Sequence, residues 1–139
     1  MAVIVGPTSW QFGNRFPLGE PTSDGGNTIC ISGGIVWIVA PASSEVSRNW
    51  HDRNDAVTTA TNCTSATGWF VPTCYQLQNP GYECRTYWDS YSCALYFSST
   101  PCGSSAAWGT NFSPSYNGDT YPRLTSAVCC VRAFRCVTY

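Results

Sequence analysis

Apolar runs along this chain are short, and their spacing changes character from one end to the other. Ile29-Cys30-Ile31 and Ile35-Val36-Trp37-Ile38-Val39, divided by Gly33-Gly34, predict two short strands or one bent strand. The second run is apolar at every position, which places it centrally in a sheet with both faces covered. Trp50, Val57 and Ala60/Thr61 then recur near the helical period, with Asp52, Arg53 and Asp55 elsewhere on the turn. The spacing predicts one main helix over residues 47 to 62, capped by Ser44 or Ser47. Gly68-Trp69-Phe70-Val71 reads as a short strand ended by Pro72. Thr73-Cys74-Tyr75-Gln76 has the form of a capping box and opens a short second helix, which turns Leu77 inward and stops by Asn79-Pro80-Gly81. From residue 82 onward no helical period survives. Leu95-Tyr96-Phe97, Ala106-Ala107-Trp108 and residues 128 to 137 predict strands, with Asn117-Gly118 as a hairpin turn. Tyr96 and Phe97 fall on opposite faces of their strand. Helices early and strands late predict an α+β fold: one main and one short helix packed on short, mostly antiparallel strands, with many loops.

The 139 residues suit one domain. Residues 1 to 28 carry Gly, Pro, Ser, Thr and Asn interrupted by Trp10, Phe12 and Phe16, so they are expected to form an N-terminal arm that packs, with the domain over 29 to 139. Apolar residues at 43% exclude a disordered chain, and charged residues at 11% are scarce. Every basic residue is Arg, and the net charge of −1 offers no basic field for nucleic acid or anionic lipid. No run is long enough to cross a bilayer. Met1 to Pro7 lacks a positive n-region, whereas nine cysteines point to an oxidising destination. Three explanations reconcile these features: a signal trimmed and replaced by an engineered Met, thiols that stay reduced, or exit by cell lysis, as a virus particle leaves its host.

Catalytic patterns are missing. The single histidine, His51, neighbours Asp52 on the expected helix, where adjacent side chains point apart. Asp52 and Asp55 are three apart, but Arg53 beside them makes a solvated face the ordinary reading. No phosphate loop, dinucleotide fingerprint or nucleophile elbow is present, and an enzyme is not expected. Cys30, Cys63, Cys74, Cys84, Cys93, Cys102, Cys129, Cys130 and Cys136 lie mostly about ten apart, unlike the paired spacing of zinc sites. Disulfides are the expected use: at most four pairs and one spare thiol, with Cys84–Cys93 and Cys93–Cys102 competing as short loop staples. Cys129 and Cys130 point to opposite strand faces, and Cys130 shares a face with Cys136. No metal and no other cofactor are expected. The sequons at Asn62 and Asn111 matter only on a eukaryotic secretory route.

Gly34-Ile35-Val36-Trp37, then Trp50 and Ala56, Cys63, Gly68-Trp69-x-x-Pro72-Thr73 with Leu77, Tyr96-Phe97-Ser98-Ser99-Thr100, Ala107-Trp108, Phe112 and Val131-Arg132-x-x-Arg135 form an ordered set. Over residues 33 to 137 this set resembles the Lcl-type C-terminal domain of collagen-like bacterial adhesins, which also occurs in phage virion proteins. The resemblance implies a C-type-lectin-like fold. It also implies a bridge from Cys63 to one of Cys129, Cys130 or Cys136. Phe70-Val71 replaces the family's Arg-Leu, Phe97 its Trp, and Pro101 its Glu. The motif residues read as architecture, since a Trp beside a strand-ending Pro fixes where the chain turns. A Glu-Pro-Asn or Gln-Pro-Asp loop and a later Trp-Asn-Asp, by which C-type lectins hold calcium and sugar, are absent.

The expected role is therefore a non-enzymatic virion protein of a tailed phage, either decorating or cementing the head or forming a small tail component. Its expected partners are capsid or tail proteins and copies of itself, and it is not expected to bind nucleic acid or insert into membranes. The alternative is an extracellular or cell-surface adhesin, or a receptor-binding domain, that takes host polysaccharide without calcium. Tyr91, Trp108, Tyr116 and Tyr121, set among Ser, Thr, Asn and Gly, would face such a ligand.

Overall fold

A computed structural model of the chain describes residues 16 to 138. The fold is α+β, with two helices and eight strands in two sheets. The strands are β1 (Asn27–Ser32), β2 (Ile35–Val39), β3 (Val46–Arg48), β4 (Leu95–Pro101), β5 (Ala106–Asn111), β6 (Thr120–Leu124), β7 (Cys129–Val131) and β8 (Phe134–Thr138). Helix α1 spans Asp55–Cys63, and α2 is the single turn Cys74–Gln76. One sheet has the order β1-β2-β8 and the other β3-β7-β4-β5-β6. All these strand pairs are antiparallel except β4 with β7, where Tyr96 sits opposite Cys130.

β2 is the central strand of its sheet, as its uninterrupted apolar run requires. Val36 and Ile38 pack against Ala60, Trp69 and Ala133, while Trp37 and Val39 enter a second cluster with Ile29, Leu77, Tyr82, Trp88, Tyr96, Phe112 and Phe134. That cluster is held by edge-to-face rings. Trp88 meets Phe112 at 5.1 Å, Tyr96 at 5.7 Å and Phe134 at 5.8 Å, and its Nε1 donates to Gly81 O at 3.1 Å. Phe97, Ala107 and Val131 form a third cluster under Ala56 of α1. Tyr96 and Phe97 thus serve different clusters from one strand, as alternation demands.

The capping box at Thr73 is complete: its hydroxyl accepts from Gln76 N at 3.2 Å and Gln76 Oε1 accepts from Thr73 N at 2.9 Å. Leu77 is buried, and the helical path breaks at Asn79, where φ is −143° and ψ 112°. The main helix is shorter than its sequence spacing suggests. Residues 46 to 48 form β3 on the edge strand position beside β7, Trp50–Asp52 is a separate 3-10 turn capped by Asn49, and α1 begins only at Asp55. Neither Ser44 nor Ser47 caps it. Trp50 instead reaches across to donate from Nε1 to Ser98 O of β4 at 2.8 Å.

The run 128 to 137 is two strands in different sheets, parted at Arg132-Ala133. Cys130 and Cys136 therefore do not share a strand face: Cys130 is buried and Cys136 is exposed. Gly68 to Val71 contributes one bridge, Phe70 with Phe134, rather than a strand. Past residue 82 the single 3-10 turns Arg85–Tyr87 and Pro114–Tyr116 do occur, and β6, with Pro122 on an edge, lies where the sequence pattern predicts no strand. Asn117 adopts the left-handed conformation, φ 50°, in the connection from β5 to β6. β1 starts at Asn27, inside the expected arm. Phe16 packs beside the Trp69 cluster, while Trp10 and Phe12 lie outside the described residues.

Gly26 marks a close approach where only glycine fits. Its φ is +89°, and a Cβ there would stand 2.6 Å from Val39 O and 2.9 Å from Ile38. Gly26→Ala is expected to cost about 2 kcal/mol or more, read as a lower urea midpoint with an unchanged slope.

Candidate functional site

The most heavily bonded side chain described is Arg132, which is 1% exposed. It sits where β7 gives way to β8 and faces two loops from other parts of the chain. Nε donates to Ala40 O at 2.8 Å; Nη1 donates to Glu45 Oε1 at 3.0 Å and to Ser90 O at 2.8 Å; Nη2 donates to Asp89 Oδ1 at 2.5 Å. The guanidinium also lies 5.1 Å from the Trp88 ring centre. Both acids carry a second duty. Glu45 accepts from Tyr96 Oη at 2.5 Å and from Ser92 Oγ at 3.2 Å, and Asp89 Oδ2 accepts from Ala42 N at 2.8 Å. Burial first, and then Glu45, hold the Tyr96 phenol well above the ordinary tyrosine value.

Cys93 and Cys130 are joined as a disulfide beside this network, with Cα atoms 6.2 Å apart. Cys93 is thus not paired with Cys84 or Cys102. The parallel match of β4 to β7 brings it to Cys130 from 37 positions away. Cys63, expected by resemblance to bridge toward the last strands, is exposed and unbonded, as is Cys136. Cys30, Cys74, Cys84 and Cys102 are half-buried thiols, and Cys129 is buried.

Among the described residues, Glu45, Cys93 and Cys130 bring three potential metal donors within 4.8 Å. The two sulfurs are bonded to each other, and the carboxylate faces a guanidinium, so this arrangement opposes a cation. His51 is exposed with its ring 5.7 Å from Trp50. Asp55 binds Arg48 at 2.8 Å, and Arg53 stacks 3.8 Å over Trp50.

Several fold-motif residues bond to one another or to the loops beside them. Trp69 Nε1 donates to Thr64 Oγ1 at 3.1 Å, Pro72 O accepts from Ser99 N at 2.9 Å, Ser98 Oγ donates to Trp108 O at 2.7 Å, and Thr100 Oγ1 accepts from Cys74 N at 3.0 Å. Trp37 stands between Cys30 and Cys136 across the first sheet. Gly68 turns at φ +86° in open space. Arg135 is 8% exposed and leans on Trp69 at 5.4 Å, with Asp24 at 3.7 Å.

The four aromatics expected to face a ligand are split between surfaces. Tyr91 rests on Trp88 and Phe112 at 5.9 and 5.5 Å, and so belongs to the rim of the core. Tyr121 accepts from Asn111 Nδ2 at 2.7 Å and pairs with the Tyr116 ring at 6.4 Å. Trp108 sits opposite Pro122 in the β5–β6 ladder, and Tyr121 opposite Gly109, so the two rings alternate to opposite faces. Trp108 lines a cleft of about 220 Å³ with Cys74, Tyr75, Gln78, Thr100 and Thr120. Tyr75, 80% exposed, escapes sequence reasoning, because a capping-box turn predicts its backbone and not its ring. A second cleft of about 280 Å³ runs past Ser47, Arg123, Val128, Cys129 and the disulfide. Burial pushes the Cys129 thiol up, opposed by Arg123.

No family model matches the chain, and no curated protein does.

Two outcomes follow from this geometry. Arg132→Ala leaves the Glu45 carboxylate buried without its cation and is expected to cost ~3–5 kcal/mol, read by urea denaturation. Alkaline stability should fall in a defined window. Tyr96 is held above its ordinary value when folded, whereas an unfolded phenol titrates near ~10. Its stabilisation is therefore whole below pH ~10 and lost as the pH rises further, which a Tm series should record as a steeper alkaline decline than in Tyr96→Phe.

Proposed function

We propose that this chain is a non-enzymatic contact protein of a tailed-phage particle: a C-type-lectin-like domain that decorates or cements the head or serves as a small tail component. The observation that supports it is where the charges sit. Arg132 and Glu45 pair inside the domain with Asp89 closing over them from the surface, while the end of β6 and the turn to β7 present Leu124 at 63% and Val128 at 67% exposure. An exterior that offers apolar side chains and few charges suits packing between subunits, where each unpaired charge is costly to desolvate. The buried ion network and the Cys93–Cys130 bond give such a module a shape that does not yield when neighbours press on it.

Leu124→Asp and Val128→Asp are expected to leave the far-ultraviolet spectrum and Tm within a few degrees of wild type, yet abolish co-sedimentation with purified particles that lack the protein. Unchanged co-sedimentation of both variants, or none by wild type, rejects the reading.

The cleft between Tyr75 and Trp108 favours a second reading, calcium-independent capture of a host polysaccharide. It joins two aromatic faces to the Gln78, Thr100 and Thr120 side chains with no charge, which is a surface for neutral sugars. Glycan-array binding in chelator that Trp108→Ala removes supports this reading, and the absence of any glycan signal rejects it.

A further inference from the structure

Seven thiols remain beside the Cys93–Cys130 bond, and two of them, Cys30 and Cys84, pack against one core cluster. Cys30 lies on β1, its backbone fixed opposite Trp37 of β2 just past the irregularity at Thr28. Cys84 opens the Arg85–Tyr87 turn, its N–H donating to Pro80 O at 2.8 Å and its carbonyl accepting from Tyr87 N at 2.9 Å. Both side chains are half-buried and pack against the same cluster, the one built on Trp88, Tyr82 and Ile29. β1 packs directly on the Arg85–Tyr87 turn, and the Cys84 thiol feels the Cys30 sulfur beside it.

We infer that Cys30 and Cys84 are a second disulfide pair, which ties the first strand to the loop ahead of Trp88. Two backbones held independently, by a sheet ladder on one side and a turn on the other, present their sulfurs to one another without rearrangement. The plain alternative is a pair of small apolar side chains that happen to touch. Against it stands the chain's own chemistry, since conditions that close Cys93–Cys130 act on this pair too.

The oxidant is a small-molecule disulfide, for which oxidised glutathione serves as the probe. One protein thiolate attacks it, forming a mixed disulfide and releasing one glutathione thiolate. The second protein thiolate then attacks the protein-side sulfur and releases the other. One S–S bond breaks and one forms; the protein gives up two electrons and two protons, and both glutathiones leave reduced. Burial, with the Cys30 sulfur alongside, pushes the Cys84 thiol up to about 11, so the exchange quickens with rising pH.

The test uses the whole chain, folded, treated with oxidised glutathione, denatured, alkylated and digested without reductant. The expected product joins the Cys30 peptide to the Cys84 peptide, lighter by two hydrogens than the separate thiols. Cys84→Ser should leave Cys30 fully alkylated and lower Tm by about 10 °C, whereas Cys63→Ser should change neither. Recovery of Cys30 and Cys84 as alkylated thiols from the oxidised wild type, or of either bonded to another cysteine, overturns the inference. Because the peptides are mapped on the wild type, a variant that fails to fold does not alter that outcome.

Discussion

A guanidinium taken out of water must be compensated by its neighbours, and in this molecule Arg132 sets that requirement. Four hydrogen bonds and an aromatic face surround it, and they come from two segments that sequence keeps apart: Ala40 and Glu45 in the β2–β3 connection, and Asp89 with Ser90 ahead of β4. Isolated ions of this size are very costly to bury, so the fold is one in which these loops converge or the charge is stranded. Glu45 extends the constraint to Tyr96 of β4, and Asp89 extends it to the backbone at Ala42. Loops that would otherwise cover the core loosely are thereby fixed from within.

The exterior follows from composition. With charged residues at 11%, exposed leucine, valine and tyrosine take up surface between the few charges, while Arg132 is carried inside. Arg135 shows how unusual the Arg132 arrangement is. It is almost as deeply placed, yet its Nε and Nη2 find no hydrogen-bond partner, and Asp24 stands off at 3.7 Å. Burial lowers the basicity of that guanidinium, with Asp24 opposing. The Trp69 face offsets part of that cost. One arginine organises its surroundings and the other is tolerated by them.

What the sequence made legible was local. The apolar run of β2, the Thr73–Gln76 box and the split of Tyr96 from Phe97 depend on neighbours within a few residues, where periodicity and capping chemistry act. What it hid was set at a distance. Ser47 and Arg48 read as a helix start because the strand they pair with, β7, lies more than eighty positions on. Residues 128 to 137 read as one strand because an arginine in an alternating run looks solvent-facing until its acids are in view, and those are 43 and 87 positions away. The aromatics were legible as a composition but not as a surface, since alternation in β5 and β6 sends Trp108 and Tyr121 to opposite faces.

The covalent and ionic elements are best regarded as one device. The Cys93–Cys130 bond anchors the end of the segment that supplies Asp89, Ser90 and Ser92 to the ion network, and Cys93 Sγ lies 3.5 Å from Glu45 Oε2. Cys130 is two positions before Arg132, so the disulfide and the guanidinium hold the same short stretch against the same loop. Neighbouring contacts that share a partner do not contribute independently; each lowers the entropy lost by the other. With few charges and no long helix among the described residues, the domain obtains rigidity by this overlap, which concentrates the restraint on the loop between Trp88 and β4.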